Sequence, residues 1–377
     1  MKEVVALIRL SKSVLGEREQ AAVSAILQKG YLGMGEETRR FEEDLAAYLG
    51  DDRLVACVST GTAALHLALQ ACGIGQGDEV LVPSLTYLAS FQAISATGAI
   101  PVACEVNEST CILDPSDLEL RITPRTRAIM PVHYASSMAD LARIYEIATQ
   151  NRLRVIEDAA HAFGCTYQGQ RVGSTGDVVC FSFDGIKNIT SGEGGAVVTA
   201  DGAVHAFVQD SRLLGVRKDS QQRYKGERSW EFEVFHQGYR YHMSDLMAAI
   251  GRVQLSRLEK EFKPRRVELA MRYSEAFRDA EGIRFLEYNV TEVIPHIFPI
   301  RVLNGLRNRV RQHLLDNEVQ VGIHYMPNHL HAFYGNKRGA LPVTERIYGE
   351  LLSLPLHPDL SNDEQDRVIE IVYEALC

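Results

Sequence analysis

The chain has 377 residues, of which 46% are hydrophobic and 24% charged, and its net charge is −9. This length exceeds what one simple core accommodates, so we expect two domains. The acidic balance excludes a general nucleic-acid binder, because it implies no basic face. The seven cysteines never form a CxxC pair and mostly lie in apolar runs. They indicate reduced core thiols, without a disulfide framework or a zinc site.

The N-terminus carries a short apolar patch that Glu3 and Arg9 interrupt, and no cleavage site follows it. The sequence therefore predicts neither a signal peptide nor a transmembrane segment. We expect a soluble, cytoplasmic protein.

Short apolar or β-branched runs recur in the first 200 residues, and helical patterns such as Ala63–Ala71 and Met138–Gln150 lie between the early ones. The runs predict strands at Leu54–Val58, Glu79–Pro83, Ile100–Val106, Ala128–Val132, Leu153–Glu157, Asp177–Phe183 and Ala196–Thr199. Strands that alternate with helices indicate an α/β fold with a mainly parallel sheet covered on both faces. Ligands of such sheets bind at the carboxyl ends of strands.

The pattern changes near Met243. It then predicts a long helix at Met243–Phe262, a helix near Arg265–Asp279, a strand in "HIFPIRVL", a helix near Leu306–Asn317 and a terminal helix from Asp363. We place a domain boundary before Leu255, which gives a large domain of residues 1–254 and a smaller α+β domain of residues 255–377.

The first strand end with possible chemistry is Ser59–Ala63, "STGTA", which opens an apolar helix. A helix N-terminus with free N–H groups, small residues and hydroxyls suits a phosphate. The same residues are common helix caps, so this segment alone leaves a purely structural role open.

The second strand end is "VIEDAAHAFG", which contains Asp158 and His161. A carboxylate at a buried strand end needs a cationic partner or several hydrogen bonds, and a protonated heterocyclic nitrogen is one such partner. A helix-capping Asp with an incidental His remains the alternative.

The third strand end leads to Lys187 in "FSFDGIKNITSGEGG". Apolar surroundings lower the pKa of a lysine and make it a nucleophile or a Schiff-base partner. A lysine on a surface loop is the commoner alternative. A phosphate cradle, a carboxylate for a pyridinium nitrogen and a Schiff-base lysine are together what pyridoxal 5′-phosphate (PLP) requires. Tyr87 could supply an aromatic face for the ring.

Five stretches, "STGTAALHLAL", "GDEVLVPSLTY", "VIEDAAHAFG", "GSTGDVVCFSF…KNITSGEGG" and "LSLPLHPDL", occur in the order typical of the DegT/DnrJ/EryC1/StrS family. The chain resembles that family from about Leu10 to its C-terminus. The resemblance implies a fold-type-I PLP aminotransferase with a seven-stranded sheet, a smaller C-terminal domain and a homodimer with shared active sites. It also implies a nucleotide-linked keto sugar as substrate and L-glutamate as amino donor.

By resemblance, Lys187 matches the Schiff-base lysine, and a lysine there favours transamination over dehydration. Asp158 matches the partner of the pyridine nitrogen, and His161 stands beside the phenolic oxygen of the cofactor. The resemblance assigns phosphate binding to Thr62, Ala63 and Ser182, ring stacking to Tyr87, and a phosphate contact from the neighbouring subunit to Arg240 or His242.

Two departures from the family pattern are visible. Arg240 replaces the usual Asn in "GYRYHM", and Asp184 stands where a His is frequent. The resemblance also suggests residues that border the sugar: Tyr31, Asp184, Arg228, Trp230, His324, Tyr325 and His331. His324, His329 and His331 could suggest a metal site, but no acidic ligand accompanies them, so we expect no metal.

We expect an NDP-4-keto-6-deoxyhexose aminotransferase that acts at C4 and serves O-antigen-type polysaccharide synthesis. Amination at C3 of an NDP-3-keto sugar is the first alternative, because both types share these motifs. A non-catalytic PLP-binding regulatory protein is the second.

Overall fold

The computed structural model describes residues 7–50, 52–138, 140–228, 230–287, 289, 292–335 and 340–376. The α-helices are α1 (Glu17–Lys29), α2 (Glu36–Leu49), α3 (Gly61–Ala71), α4 (Leu88–Ala96), α5 (Pro115–Arg121), α6 (Leu141–Asn151), α7 (Gly202–Ser211), α8 (Asp219–Tyr224), α9 (Asp245–Arg257), α10 (Lys263–Ala276), α11 (Arg307–Asp316), α12 (Pro342–Glu350) and α13 (Asn362–Leu376). The strands are β1 (Leu54–Val58), β2 (Glu79–Pro83), β3 (Ile100–Cys104), β4 (Thr126–Ile129), β5 (Arg154–Asp158), β6 (Thr166–Tyr167), β7 (Gln170–Arg171), β8 (Val178–Ser182), β9 (Gly195–Thr199), β10 (Ile283–Phe285), β11 (Phe298–Val302) and β12 (Leu351–Leu354).

The predicted sheet is confirmed: seven strands pair in the order β1-β9-β8-β5-β4-β2-β3. The pairs from β8 through β5, β4 and β2 to β3 are parallel, whereas β9 runs antiparallel to both β8 and β1. Successive side chains of β8 face opposite sides, as a strand requires. Cys180 packs in the cluster around α3, and Phe181 packs in the cluster around α2 and α9. Both faces are therefore covered by helices, which explains the continuous apolar runs.

The strand bounds agree with the predicted runs to within a few residues, and β4 shows the largest shift. The run Ala128–Val132 predicts a strand that ends at Val132, but β4 ends at Ile129. Pro131 has no N–H to donate, so regular pairing stops before it. The chain then continues to Val132, which forms a single bridge with Asp158.

The geometry of the sheet brings three strand ends to one edge. β5 and β8 are parallel neighbours, and β1 runs in the same direction because both β1 and β8 are antiparallel to β9. A Cβ on Gly61 would lie 2.7 Å from Cβ of Ser182, and a Cβ on Gly195 would lie 2.5 Å from the carbonyl oxygen of Thr60. Glycine is required at both positions, because the start of α3 packs directly against the ends of β8 and β9.

The C-terminal part contains a three-stranded antiparallel sheet in the order β10-β11-β12. A cluster of apolar residues from this sheet, α10, α11 and α13 forms its core. The expected boundary before Leu255 lies inside a continuous helical stretch, because α9 passes through a π-helical segment, Leu258–Phe262, into α10. The division into residues 1–254 and 255–377 stays a prediction.

Over the residues described above, no helix is long and apolar enough to cross a membrane.

Candidate active site

A cavity of about 400 Å³ opens at the carboxyl ends of β1, β5 and β8. Nine of the residues singled out in the sequence line it: Thr62, Tyr87, Asp158, His161, Ser182, Asp184, Lys187, His324 and Tyr325. The three strand ends that the sequence singled out therefore share one cavity.

The N-terminus of α3 forms one wall of this cavity. Thr60 caps the helix, since its Oγ1 accepts the N–H of Ala63 at 3.0 Å. The first N–H groups of a helix have no partner within the helix, and those of Gly61 and Thr62 lie at the cavity wall. This wall suits a phosphate. Ala63 is 4% exposed and does not line the cavity, because the cap uses its N–H and its methyl group packs into the core.

The carboxylate of Asp158 lines the cavity at the end of β5 and is 6% exposed. Its Oδ2 accepts a hydrogen bond from Oγ of Ser90 at 2.7 Å, and its Oδ1 accepts one from the N–H of Ala160 at 3.2 Å. Two hydrogen bonds fix its orientation and leave lone pairs for a ligand. A ring nitrogen that carries a proton fits this position.

The imidazole of His161 lies on the cavity wall with a defined tautomer. Its Nδ1 accepts the N–H of Ala135 at 3.3 Å, so the proton of the neutral ring is on Nε2, 3.0 Å from the hydroxyl oxygen of Tyr325. Burial, followed by the nearby Lys187 and His324, lowers the pKa of His161 well below its usual value. His161 therefore offers a neutral N–H donor to the cavity.

Lys187 lies on a loop whose backbone is held on both sides. Nδ2 of Asn188 donates to the carbonyl oxygens of Phe163 and Ile294 at 3.0 and 3.2 Å, and the N–H of Ser191 donates to the carbonyl of Phe183. Burial lowers the pKa of the Lys187 amine to about 8, against the opposing effect of Asp184 and Asp158. The amine is thus deprotonated far more readily than that of an exposed lysine and can act as a nucleophile.

His324 and Tyr325 close the cavity from the C-terminal part of the chain. Nδ1 of His324 lies 2.8 Å from Oγ of Ser353, and its carbonyl accepts a hydrogen bond from the hydroxyl of Tyr134. Burial and the proximity of Lys187 lower the pKa of His324 to about 4. Tyr87, whose ring is 60% exposed, packs against Tyr325 with ring centroids 5.4 Å apart.

Seven predicted residues do not line the cavity of this chain: Ala63, Tyr31, Arg228, Trp230, Arg240, His242 and His331. The hydroxyl of Tyr31 donates to the carbonyl of Met34, and the side chains of Arg240 and Trp230 are exposed. His242 forms a β-bridge with Val58 at the end of β1, so its segment lies next to the strand end that precedes α3. The roles of these residues stay predictions.

The sequence reasoning missed His296 and Ser90. Nε2 of His296 lies 3.5 Å from Nζ of Lys187, and His296 is 3% exposed. The available signal was a histidine directly before a buried strand, within "HIFPIRVL". For Ser90 the signal was a small polar residue in the first turn of a mostly apolar helix, α4.

Within the described part of the chain, no group of three His, Cys, Asp or Glu residues could hold a metal ion. The wall at α3, the carboxylate of Asp158 and the amine of Lys187 fit the phosphate, the ring nitrogen and the aldehyde of PLP, respectively.

The chain is similar in sequence to known proteins over nearly its whole length. Residues 13–373 match the profile of the DegT/DnrJ/EryC1/StrS aminotransferase family. The chain is 38% identical over 376 residues to the spore coat polysaccharide biosynthesis protein SpsC of Bacillus subtilis, covering 97% of this chain and 96% of SpsC.

Two solved structures are similar over nearly the whole chain. The aminotransferase TlmJ from Streptoalloteichus hindustanus superimposes with a TM-score of 0.91 and 34% identity, covering 98% of this chain and 99% of TlmJ. Spr1654 from Streptococcus pneumoniae, solved in a PLP form and a PMP form, superimposes with a TM-score of 0.90 and 30% identity, covering 98% of this chain and 99% of Spr1654.

The predicted family, fold type and cofactor are thereby confirmed. The chain belongs to the DegT/DnrJ/EryC1/StrS aminotransferase family and is a PLP-dependent sugar aminotransferase.

Proposed function

We propose that this enzyme transfers the amino group of L-glutamate to C4 of a nucleotide-linked 4-keto-6-deoxyhexose. The observation that supports amino transfer is the meeting of Lys187, Asp158 and the N-terminus of α3 in one cavity, whereas the donor and the C4 position rest on the family resemblance. Each group answers one demand of PLP chemistry, and a protein that only binds sugar nucleotides needs none of the three.

Bound PLP supplies an aldehyde that joins the substrate amine and a ring that accepts electrons. The residues of this chain hold that ring and move protons around it. Thr62 and Ser182 bind the phosphate, and Asp158 keeps the ring nitrogen protonated by its negative charge. His161 would donate its Nε2 proton in a hydrogen bond to the phenolic oxygen, in place of its contact with the hydroxyl of Tyr325.

Lys187 has two roles in this proposal. Its amine would hold the cofactor covalently, and once free it would take a proton from one carbon atom and return it to another. An amine with a pKa of about 8 is suited to both steps near neutral pH, because it gains and loses protons at similar cost.

The charge of the cavity supports a homodimer with shared sites. Of the described residues that line it, Asp158, Asp184 and Glu193 are acidic and only Lys187 is a Lys or Arg. The phosphates of a sugar nucleotide and the carboxylates of glutamate require further cations. We assign these to a second copy of the chain, whose Arg240, Arg228 and Trp230 are exposed.

A complementation experiment tests the shared site. Lys187→Ala and Arg240→Ala are each expected to be inactive or strongly impaired, whereas a mixed dimer regains one intact site. Activity that returns to about a quarter of the wild-type level after mixing and re-association supports the shared site. Mixing without recovery, with exchange of subunits verified by mass, contradicts the role of Arg240 in a neighbouring site.

The pathway assignment rests on the name of a relative. SpsC is named for spore coat polysaccharide biosynthesis, and an aminated deoxysugar would serve as a unit of such a polymer. We propose that this enzyme works in the cytoplasm, where nucleotide sugars are made, and supplies an O-antigen-type or related surface polysaccharide.

The substrate is tested with L-glutamate and a panel of dTDP-, UDP- and GDP-linked 4-keto and 3-keto sugars. The expected result is stoichiometric oxoglutarate and an amino sugar whose NMR spectrum places the nitrogen on C4. Nitrogen on C3 would replace the C4 assignment by its first alternative. Absence of oxoglutarate with every acceptor would contradict the assignment of L-glutamate as the amino donor.

A further inference from the structure

Lys187 is in contact with a histidine from the C-terminal part of the chain that has no role in the reaction proposed above. Nε2 of His296 lies 3.5 Å from Nζ of Lys187. The imidazole is 3% exposed and lies against that of His161, with ring centroids 4.4 Å apart. A histidine buried this deeply beside a reactive amine calls for a role, because burial without partners is costly.

The backbone of His296 is clamped on both sides. Its N–H donates to Oγ of Ser136 at 3.1 Å, and its carbonyl oxygen accepts a hydrogen bond from Nη1 of Arg266 at 3.2 Å. Arg266 is itself 2% exposed and also binds the carbonyls of Pro295 and Leu356. The ring therefore stands on a rigid support, as a group that orients another side chain must.

The two ring nitrogens of His296 differ in their surroundings. Nδ1 is buried and has no hydrogen-bond partner among the described residues. The amine of Lys187 has hydrogens to donate in both of its protonation states, so Nε2 of His296 accepts from it and the proton of the neutral ring is on Nδ1. Burial and the cations Lys187 and Arg266 lower the pKa of His296 well below its usual value, which keeps the ring neutral.

We propose that His296 is a positioning residue that holds the amino group of Lys187 through a hydrogen bond from Nζ to its Nε2, which leaves the lone pair of the neutral amine free to react. This inference rests on the proposed role of Lys187. The contact of 3.5 Å is long, as such bonds often are without a bound ligand. The other charged or titratable groups that face the amine are Asp158, Asp184, His161 and His324. Of the three imidazoles, His296 alone has a ring nitrogen in direct contact with Nζ among the described residues.

The test exploits the reach of two amide side chains. The amide of Gln extends about as far as Nε2 of a histidine, and that of Asn only as far as Nδ1. His296→Gln therefore keeps a hydrogen-bond acceptor near Lys187, and His296→Asn removes it at a similar structural cost. His357→Asn is a matched control, because His357 is likewise buried (5% exposed) with an orphaned Nδ1, whereas the contact with Nζ of Lys187 is made by His296.

Two quantities are measured on the cofactor-free proteins. The first is the rate at which Lys187 captures PLP, followed by visible absorbance and confirmed by borohydride reduction and peptide mass. The second is the affinity for pyridoxamine phosphate, which has no aldehyde and reports non-covalent binding alone. We expect His296→Asn to slow capture about tenfold, the effect of one lost hydrogen bond, with unchanged pyridoxamine phosphate affinity.

His296→Gln and His357→Asn should both capture PLP within about twofold of wild type. Equal capture rates for the Asn and Gln variants of His296 would overturn the proposal, as would a parallel loss of pyridoxamine phosphate affinity in His296→Asn. Failure of the role of Lys187 is a separate result: Lys187→Ala would then capture PLP at the wild-type rate.

Discussion

Oγ of Ser90 donates a hydrogen bond to Oδ2 of Asp158 at 2.7 Å, which connects helix α4 to the end of strand β5. Both residues are buried. The bond orients the carboxylate that we assign to the ring nitrogen of PLP, but it adds no charge. Replacing Ser90 and Asp158 in turn therefore separates the contribution of the carboxylate's orientation from that of its charge.

Replacing Asp158 by Asn keeps an oxygen that can accept from Ser90 and removes the negative charge. We expect Asp158→Asn to lower kcat by about 10²–10⁴-fold, the range for loss of a catalytic protonation partner. Ser90→Ala should cost about tenfold or less, because it removes one hydrogen bond and leaves the charge. Steady-state kinetics with L-glutamate measure both. Equal losses in the two variants would show that orientation, not charge, dominates.

The pH dependence of stability reports the state of the Lys187 amine. Its pKa falls from 10.5 to about 8 in the native protein because of burial. Between these values the unfolded chain binds more protons than the native state, so stability rises with pH across this window. In the cofactor-free protein, Lys187→Met should be more stable than wild type at pH 7, by about 3 kcal/mol at most.

That difference between Lys187→Met and wild type should shrink as the pH rises through the window. Denaturant unfolding of both proteins at several pH values from 7 to 10.5 measures it, with 10.5 being the ordinary pKa of the amine. A difference that stays constant over the whole range would contradict a depressed pKa for Lys187.

Gly195 is the position where strand β9 meets the proposed phosphate site. A Cβ there would lie 2.5 Å from the carbonyl oxygen of Thr60, the cap of helix α3. Gly195→Ala should displace this helix start, destabilise the fold by about 1–3 kcal/mol and weaken pyridoxamine phosphate binding. Gly202→Ala is the control, because nothing lies within 4 Å of its added Cβ. If Gly195→Ala binds pyridoxamine phosphate as tightly as wild type does, helix α3 does not form the phosphate site.

Arg212 forms a buried ion pair beside β1, the edge strand of the large sheet. The guanidinium is 0% exposed and donates to Glu42, to the carbonyl oxygen of Cys57 and to the hydroxyl of Tyr224. Arg212→Met leaves Glu42, which is 7% exposed, without its charged partner. We expect a loss of about 3–5 kcal/mol in the free energy of unfolding.

The exposed pair of Arg39 and Glu43 on helix α2 is the control for Arg212. Arg39→Met should cost about 0.5 kcal/mol or less, as exposed helical pairs do. Denaturant unfolding measures both variants. Similar losses for the two would contradict the assignment of Arg212 as a buried structural ion pair.

Much of the sheet could be predicted because its strands are buried on both faces. The runs that contain β1, β2 and β8 are mostly apolar and lack a regular alternation with polar residues, which is the pattern of a covered parallel sheet. The end of β4 was predicted wrongly, since apolar character continues past Pro131 where pairing cannot. The apolar pattern of a sequence indicates which residues are buried, whereas backbone hydrogen bonding determines where a strand ends.

Within the site, sequence reasoning found residues that follow strands or match family motifs, such as Asp158 and Lys187. It missed His296 and Ser90, because each acts through a neighbour that is distant in the chain. His296 reaches Lys187 across 109 positions and Ser90 reaches Asp158 across 68. Such contacts depend on how β11 and α4 pack, and no local spacing encodes that.

The proposed reaction depends above all on Lys187 carrying a cofactor that exchanges amino groups. The most direct test is the visible absorbance of the purified, PLP-loaded protein before and after L-glutamate. We predict a band that disappears with glutamate and returns with one nucleotide-linked keto sugar, and that Lys187→Ala lacks. A band that glutamate leaves unchanged, or one that Lys187→Ala retains unaltered, would contradict the proposed reaction.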